Sequence, residues 1–475
     1  MASNLRTADH CYFLNAALDL VKNVKVHTIL GPQTSIQAKF VAELGNKSQT
    51  PIISFSATSP FLSSSRIPYF IRTALSDSTQ AKAVASLVQS FGWNQLIPIF
   101  EDTDYGTGMI PYLIDAFQAA DAHVPYRSMI PLTANDDQIL RELYNLKTMQ
   151  TRVFVVHASN SLASRIFLKA READMMKEGY AWIITYGLTD HLGFMDNSTV
   201  DAMHGILTVK PYVVDSNQHE DFNTRFKEWF HKHNPSASEL VQPSVFALWG
   251  YDTAWALALA AESFGNANSM STGRRLNAIN QHTTDLELLG LRPRGQGLLD
   301  AILGTNFNGL TGQFRLNNGQ LQSTPRFEII NVVAGEKKRV GFWTADHGIS
   351  GRLDSRASLQ RVVWPGDSMA IPKGLDWEML TGKKLKIGVP VKQGFREFVN
   401  KEWNPLTNRN GSGFCIEVFD TVMASLPYSV PYEYIPFEDR NGKMKGSYND
   451  LISQVYLQVS HNKIICTEQQ SIHFL

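Results

Sequence analysis

Two turns constrain this chain more than any other stretch. Val26-His27-Thr28-Ile29-Leu30 runs into Gly31-Pro32-Gln33-Thr34-Ser35, and Pro51-Ile52-Ile53 runs into Ser54-Phe55-Ser56-Ala57-Thr58-Ser59-Pro60. Each is a short apolar segment ending in small or hydroxylated residues. After the first, Ala38, Val41, Ala42 and Leu44 recur at helical spacing. Strand, small-residue turn, helix is the unit that builds parallel sheets, hence an α/β fold. Ligands of such sheets lie beyond the carboxyl ends of the strands. There, N–H groups at a helix start and nearby hydroxyls can hold an anion such as a carboxylate. The two turns are expected to form one wall of a small-molecule cleft.

The same alternation continues. Apolar runs at Gln95–Phe100, Arg152–His157, Tyr180–Thr185 and Ile206–Pro211 read as strands, with helical patterns between them. Ser76 or Asp77 reads as the cap of a helix at Thr79, and a helix is expected from about Gly108. Val245–Phe264 is long, apolar and poor in charge, so it reads as a buried helix. Asn317-Asn318-Gly319 is a hairpin signal between short strands. Residues 346–383 lose periodicity and collect Pro365, Gly366, Pro372, Gly374 and Gly382, which reads as a linker. A second strand–helix unit begins near 384 and is too short to close a domain by itself. Residues 460–475 form a divergent, mostly polar tail.

Composition removes several function classes. The chain has 475 residues, 43% of them hydrophobic, enough for two or three domains with sizeable cores. Its formal net charge is zero, which removes the electrostatic case for nucleic acid. Three cysteines, Cys11, Cys415 and Cys466, form no C-x-x-C pair, so neither a zinc ribbon nor a thioredoxin-like site is expected. No G-x-S-x-G, Walker loop or H-E-x-x-H occurs. His231 and His233 lie two apart on a helix end and do not share a face. No enzyme activity, cofactor or metal is expected. The polar start lacks the apolar core of a signal peptide. No apolar run reaches the roughly 18 residues of a membrane span. The expectation from these two features is a soluble, unaddressed polypeptide.

Several words carry a family resemblance: Glu101-Asp102-Thr103-Asp104-Tyr105-Gly106, Met149-Gln150-Thr151-Arg152-Val153-Phe154, Gly309-Leu310-Thr311-Gly312-Gln313-Phe314-Arg315, Val362-Val363-Trp364-Pro365-Gly366-Asp367 and Tyr432-Glu433-Tyr434-Ile435-Pro436-Phe437-Glu438. On these the chain resembles the plant glutamate receptor-like proteins of the ionotropic glutamate receptor family, shortened at both ends. The resemblance implies a bilobed, periplasmic-binding-protein type I-like domain at 1–345, followed by an incomplete type II-like ligand-binding segment at 384–459. Lobe one is expected at about 1–90 and 220–310, and lobe two at about 91–219 and 311–345. The family implies an extracellular, plasma-membrane context. It also implies a ligand-gated cation channel whose pore this chain lacks, and other glutamate receptor-like subunits as partners. The sequons at Asn46, Asn197 and Asn410 would then carry glycans.

The resemblance also implies a site for a small amino acid-like ligand. Ser35, Ser56, Ala57 and Thr58 match positions that hold the carboxylate, although Ser35 and Thr58 read equally well as helix caps. Asp77 matches an acid that faces the ammonium, or else caps its own helix. Tyr105 matches an aromatic that closes over the ligand, or else packs on the hinge. Tyr186 stands where related receptors often carry an acid, which weakens the amine anchor. The alternative is a non-binding assembly or dimerisation module, or a non-functional truncated product. Ser56 and Tyr105 are expected to face each other across a polar slot.

Overall fold

The structure is a computed structural model that describes residues 13–62, 67–235, 242–269 and 295–374. Beyond these it describes 385–391, 397–398, 400–404, 409–425, 432–439, 443–456 and 463–465. Cys11, Cys466, residues 375–383 of the expected linker and most of the expected tail lie outside the described residues.

Two sheets build the larger part. The first has six strands in the order β1-β2-β3-β11-β10-β9. These are β1 (Ile29–Leu30), β2 (Ile52–Ser54), β3 (Phe70–Arg72), β9 (Asn306–Gly309), β10 (Gly312–Asn317) and β11 (Gln320–Leu321). The second has eight strands in the order β14-β13-β12-β8-β7-β6-β4-β5. They are β4 (Ile97–Glu101), β5 (Ser128–Ile130), β6 (Val153–His157), β7 (Ala181–Ile184), β8 (Leu207–Pro211), β12 (Arg326–Val333), β13 (Glu336–Thr344) and β14 (Gly348–Ser350). Every residue of β4, β6 and β7 is buried, as expected of parallel strands covered on both faces.

Helices follow the strands, and most start on a cap. Thr34 caps α1 (Ser35–Ser48) and exchanges bonds with Gln37 in a capping box. The next helix, α2 (Ala81–Ser90), is reached through a 3₁₀ turn, Asp77–Gln80, so neither Ser76 nor Asp77 caps a helix at Thr79. Thr103 caps α3 (Asp104–Ala119), whose start is earlier than Gly108 because the Thr103 hydroxyl takes the Gly106 N–H. Further helices are α4 (Asp136–Lys147), α5 (Asn160–Glu172), the short α6 (Tyr186–Thr189), α7 (Asn197–Ala202), α8 (Asn217–His233), α9 (Val245–Ser269) and α10 (Gly295–Leu303). The β10–β11 hairpin turns at Asn318 and Gly319, with φ of 47° and 68°, as the sequence signal requires.

The sheets divide the chain at points other than those the sequence pattern suggests. Ala81, Val84, Leu87 and Val88 of α2 share a core with Phe100, Leu113 and Val153, so α2 belongs to the second lobe. Strands β9 to β11 belong to the first lobe, beside Ile53, Ile71, Ala256 and Ala260. The chain therefore crosses between lobes just after β3, just after β8 and between β11 and β12. An apolar helix face shows that a helix is covered, not which sheet covers it.

Beyond β14 the chain stays on the second lobe. Trp364 is buried edge-on to Phe91 and Trp93. The Trp93 indole N–H donates to the Pro372 carbonyl at 2.6 Å, and the Arg152 N–H to the Gly374 carbonyl at 2.7 Å. Asn331 brackets the backbone of Val363 with one donor and one acceptor bond. These ties make residues 362–374 a strap along lobe two. Further on, β15 (Leu385–Pro390) pairs in parallel with β16 (Tyr432–Phe437) and β17 (Lys463–Ile465). The helix α11 (Phe414–Ser425) packs Ile416, Phe419 and Met423 against this small sheet.

Candidate functional site

A cavity of about 820 Å³ opens between the carboxyl ends of the two parallel strand sets. From lobe one come the turn after β1, the first residues of α1, and Phe55, Ser56 and Thr58 after β2. From lobe two come Glu101 at the end of β4, Tyr105 in α3, Ala158 to Ser161 around the start of α5, and Gly187 and His191. Ser244, Phe246 and Ala247 at the start of α9 complete the wall.

The lobe-one wall is knit together by its own hydrogen bonds and leaves few donors unfilled. Gly31 adopts a φ of 127° that a side chain would strain, and its N–H donates to Ile53 at 2.7 Å. Ser56 Oγ donates to the Gln33 carbonyl at 2.9 Å, which joins the two turns recognised in the sequence. Ser54 Oγ donates to the Pro32 carbonyl and accepts from the Ala57 N–H. At the start of α1 the Gln37 N–H is taken by Thr34 Oγ1 and the Ala38 N–H by the Thr34 carbonyl. The N–H groups of Ser35 and Ile36 have no intrahelical partner, and both residues line the cleft.

Lobe two answers with an aromatic and a second helix start. Tyr105 packs on His157 with ring centroids 4.3 Å apart. The His157 ring nitrogens meet Thr185 Oγ1 at 2.9 Å and the Tyr105 carbonyl at 3.2 Å. Burial, then the charges of Asp77 and Glu101, pushes the Tyr105 phenol well above its ordinary value, so it stays a neutral donor. A Cβ at Gly187 would fall 2.7 Å from the Tyr105 hydroxyl, so the ring position depends on that glycine. Ser159 caps α5 without a side-chain bond, and its Oγ and the Asn160 Oδ1 are buried and without partners. Burial also holds the His191 imidazole below its ordinary value, against the opposing charge of Asp190. No lysine or arginine is among the described residues lining the cleft.

Of the residues singled out in the sequence, Ser35, Ser56, Thr58 and Tyr105 line this cavity, with Ser56 and Tyr105 on opposite lobes. Ser35 is the first residue of α1 and not its cap; its hydroxyl accepts from the Ser59 N–H at 3.1 Å. Thr58 precedes no helix. Ala57, Asp77 and Tyr186 do not line the cavity, and all three are fully buried. Tyr186 packs between Phe246 and Trp249, and its hydroxyl donates to the Leu75 carbonyl at 2.9 Å. Asp77 Oδ1 accepts from Gln80 Nε2 at 3.2 Å, and its Oδ2 has no partner. Asn46 and Asn197 are exposed, whereas the side chain of Asn410 lies outside the described residues. Sequence reasoning missed Glu101, Ser159, Asn160, Gly187 and His191. The first four sit at strand ends or helix starts, the signal that found Ser35 and Ser56.

Comparison with known proteins agrees with this architecture. The family described as "Receptor family ligand binding region" matches residues 9–335. Glutamate receptor 2.3 of Arabidopsis thaliana is 43% identical over 455 residues, covering 93% of this chain and 49% of the relative. Glutamate receptor 2.5 of the same plant is 44% identical over 451 residues, covering 93% and 48%. The chain thus spans about half the length of the curated relatives it matches. Among solved structures, a solute-binding protein of an ABC transporter from R. palustris, in complex with benzoate, aligns with a TM-score of 0.54 at 16% identity. That alignment covers 74% of this chain and 85% of the other. A solute-binding protein from Rhodopseudomonas palustris BisB5, in complex with 3,4-dihydroxy benzoic acid, aligns at 0.55 and 18% identity, covering 71% and 84%. At such identities the likeness speaks for the fold alone. The matching family is one of receptor ligand-binding regions, and the relatives are named as receptors. The chain belongs to the receptor ligand-binding family and, within it, to the plant glutamate receptor-like proteins, whose ligand-binding region it carries on a solute-binding-protein fold.

Proposed function

We propose that this region is the extracellular ligand sensor of a glutamate receptor-like, ligand-gated cation channel, and that it closes its two lobes on a small amino acid-like ligand. The observation that carries the reading is the facing pair of Ser56 and Tyr105, with the free N–H groups of Ser35 and Ile36 at the start of α1. A carboxylate there accepts charge-assisted bonds, each contributing roughly 1.5–3 kcal/mol. Tyr105 then covers the ligand from lobe two. Closure follows if the ligand binds the closed form more tightly than the open one. The relatives named as glutamate receptors and the fold neighbours that hold small aromatic acids are both consistent with a carboxylate ligand.

Calorimetry of the full chain against a panel of amino acids and small carboxylic acids tests this. Saturable heat with at least one of them is expected. A cooperatively melting chain that gives none removes the ligand. The alternative is then an assembly module that joins other glutamate receptor-like subunits, for which concentration-dependent sedimentation with an empty cleft is the signature. The sealed positions of Asp77 and Tyr186 favour this alternative over a conventional amino-acid site. Within this reading the exposed Asn46 and Asn197 are the surface positions for glycans.

A further inference from the structure

The cleft offers a carboxylate the start of α1, where the N–H groups of Ser35 and Ile36 have no intrahelical partner, and the acids around it are buried and already engaged. From this we propose that its ligand is a carboxylic acid without an amino group and with an apolar body. The proposal rests on the ligand-clamp reading above and narrows it.

An ammonium taken out of water needs a free carboxylate or a full set of acceptors. Three acids surround the cleft. Glu101 lines it but is only 2% exposed; its Oε1 accepts from Thr103 Oγ1 at 2.6 Å and its Oε2 from the Ser159 N–H at 2.7 Å. Both oxygens are engaged in fastening β4 to the helix starts beside it. Asp190 accepts from the Val245 N–H at 2.8 Å and lies 3.5 Å from Lys210. Asp77 is 0% exposed and outside the lining. Tyr186 is turned away into the Phe246–Trp249 contact.

The walls themselves favour an anion. Helices α1 and α5 both begin at the cleft, and a helix start carries positive partial charge with unfilled N–H groups. The two starts differ. That of α5 already faces the Glu101 carboxylate, so a second full negative charge is not favoured there. Helix α1 has no such acid at its start among the cleft residues and takes the carboxylate. Phe55, Leu132 and Phe246 line the cavity and accept an apolar body.

The test uses matched pairs on the full chain by calorimetry: tyrosine against phloretate, which is tyrosine without its amino group, and leucine against isocaproate. The deaminated acid is expected to bind at least about tenfold tighter in each pair, a difference of about 1.4 kcal/mol. Amino acids that bind as tightly as their deaminated partners overturn the inference while leaving the clamp intact. No binding by any of the four, in folded protein, overturns both. Tyr105→Leu, checked for a cooperative melt, is expected to weaken phloretate at least fivefold; unchanged affinity would place the acid outside the cleft and sink the proposal.

Discussion

Asp77 shows how far one residue can depart from what its neighbours in sequence suggest. It follows a serine and opens a helical turn, yet its carboxyl is sealed among Thr58, Arg72, Gln80, Tyr105, His157 and Tyr186. Burial raises its pKa, and His157, Thr58, Arg72 and Tyr186 only partly offset that. A carboxyl whose folded value is raised weakens the fold as pH climbs from the unfolded value, about 3.9, through the folded one. Asp77→Asn removes that loss. In urea unfolding between about pH 4 and 7, the variant is expected to gain on the parent as pH rises. A constant difference across that window would contradict a raised carboxyl. The residues singled out in the sequence that line the cavity, Ser35, Ser56, Thr58 and Tyr105, share one property: each lies just past a strand or at a helix start. Tyr186 also follows a strand, but its ring turns into the Phe246–Trp249 contact, a choice made by a helix some sixty residues on.

At the scale of elements, strand identity was readable wherever burial on both faces leaves an unbroken apolar run, as in β6 and β7. The interlobe crossings were not, because β11 is two residues long and α2 gives no sign of which sheet it covers. The strap was half legible. Its loss of periodicity is real, but Val362, Trp364 and the bonds from Trp93 and Arg152 bind it to lobe two. Gly205 allows the approach: a Cβ there would lie 2.3 Å from Pro365 N. Trp364→Ala is therefore expected to destabilise lobe two by about 3–5 kcal/mol, the range for a buried tryptophan. Denaturant melts followed by the fluorescence of Trp93 and Trp182 check this. A loss under about 1 kcal/mol would mean that the strap lies on the lobe without stabilising it.

For the whole molecule, the lobes already touch at the mouth of the cleft. Lys39 on α1 meets Asp104 on α3 at 2.9 Å, both partly exposed, and Ser59 Oγ donates to the Asp104 carbonyl at 2.7 Å. An exposed pair of this kind contributes about 0.2–1 kcal/mol and is screened by salt. Lys39→Met is expected to speed ligand release a few-fold at low ionic strength, with the difference gone near 1 M salt, where the Debye length is about 3 Å. Stopped-flow release at both salt levels decides it; a difference that survives high salt is not the ion pair.

The strap has a mechanical consequence. Because it is moored along the second lobe from Trp364 to Gly374, the chain that goes on to β15 departs from one jaw only. On the proposed reading, any pull handed downstream would begin with the travel of that jaw. Clasping the first lobe to a neighbouring subunit would cost the signal nothing, whereas pinning the second would leave the leash slack however tightly the ligand is gripped.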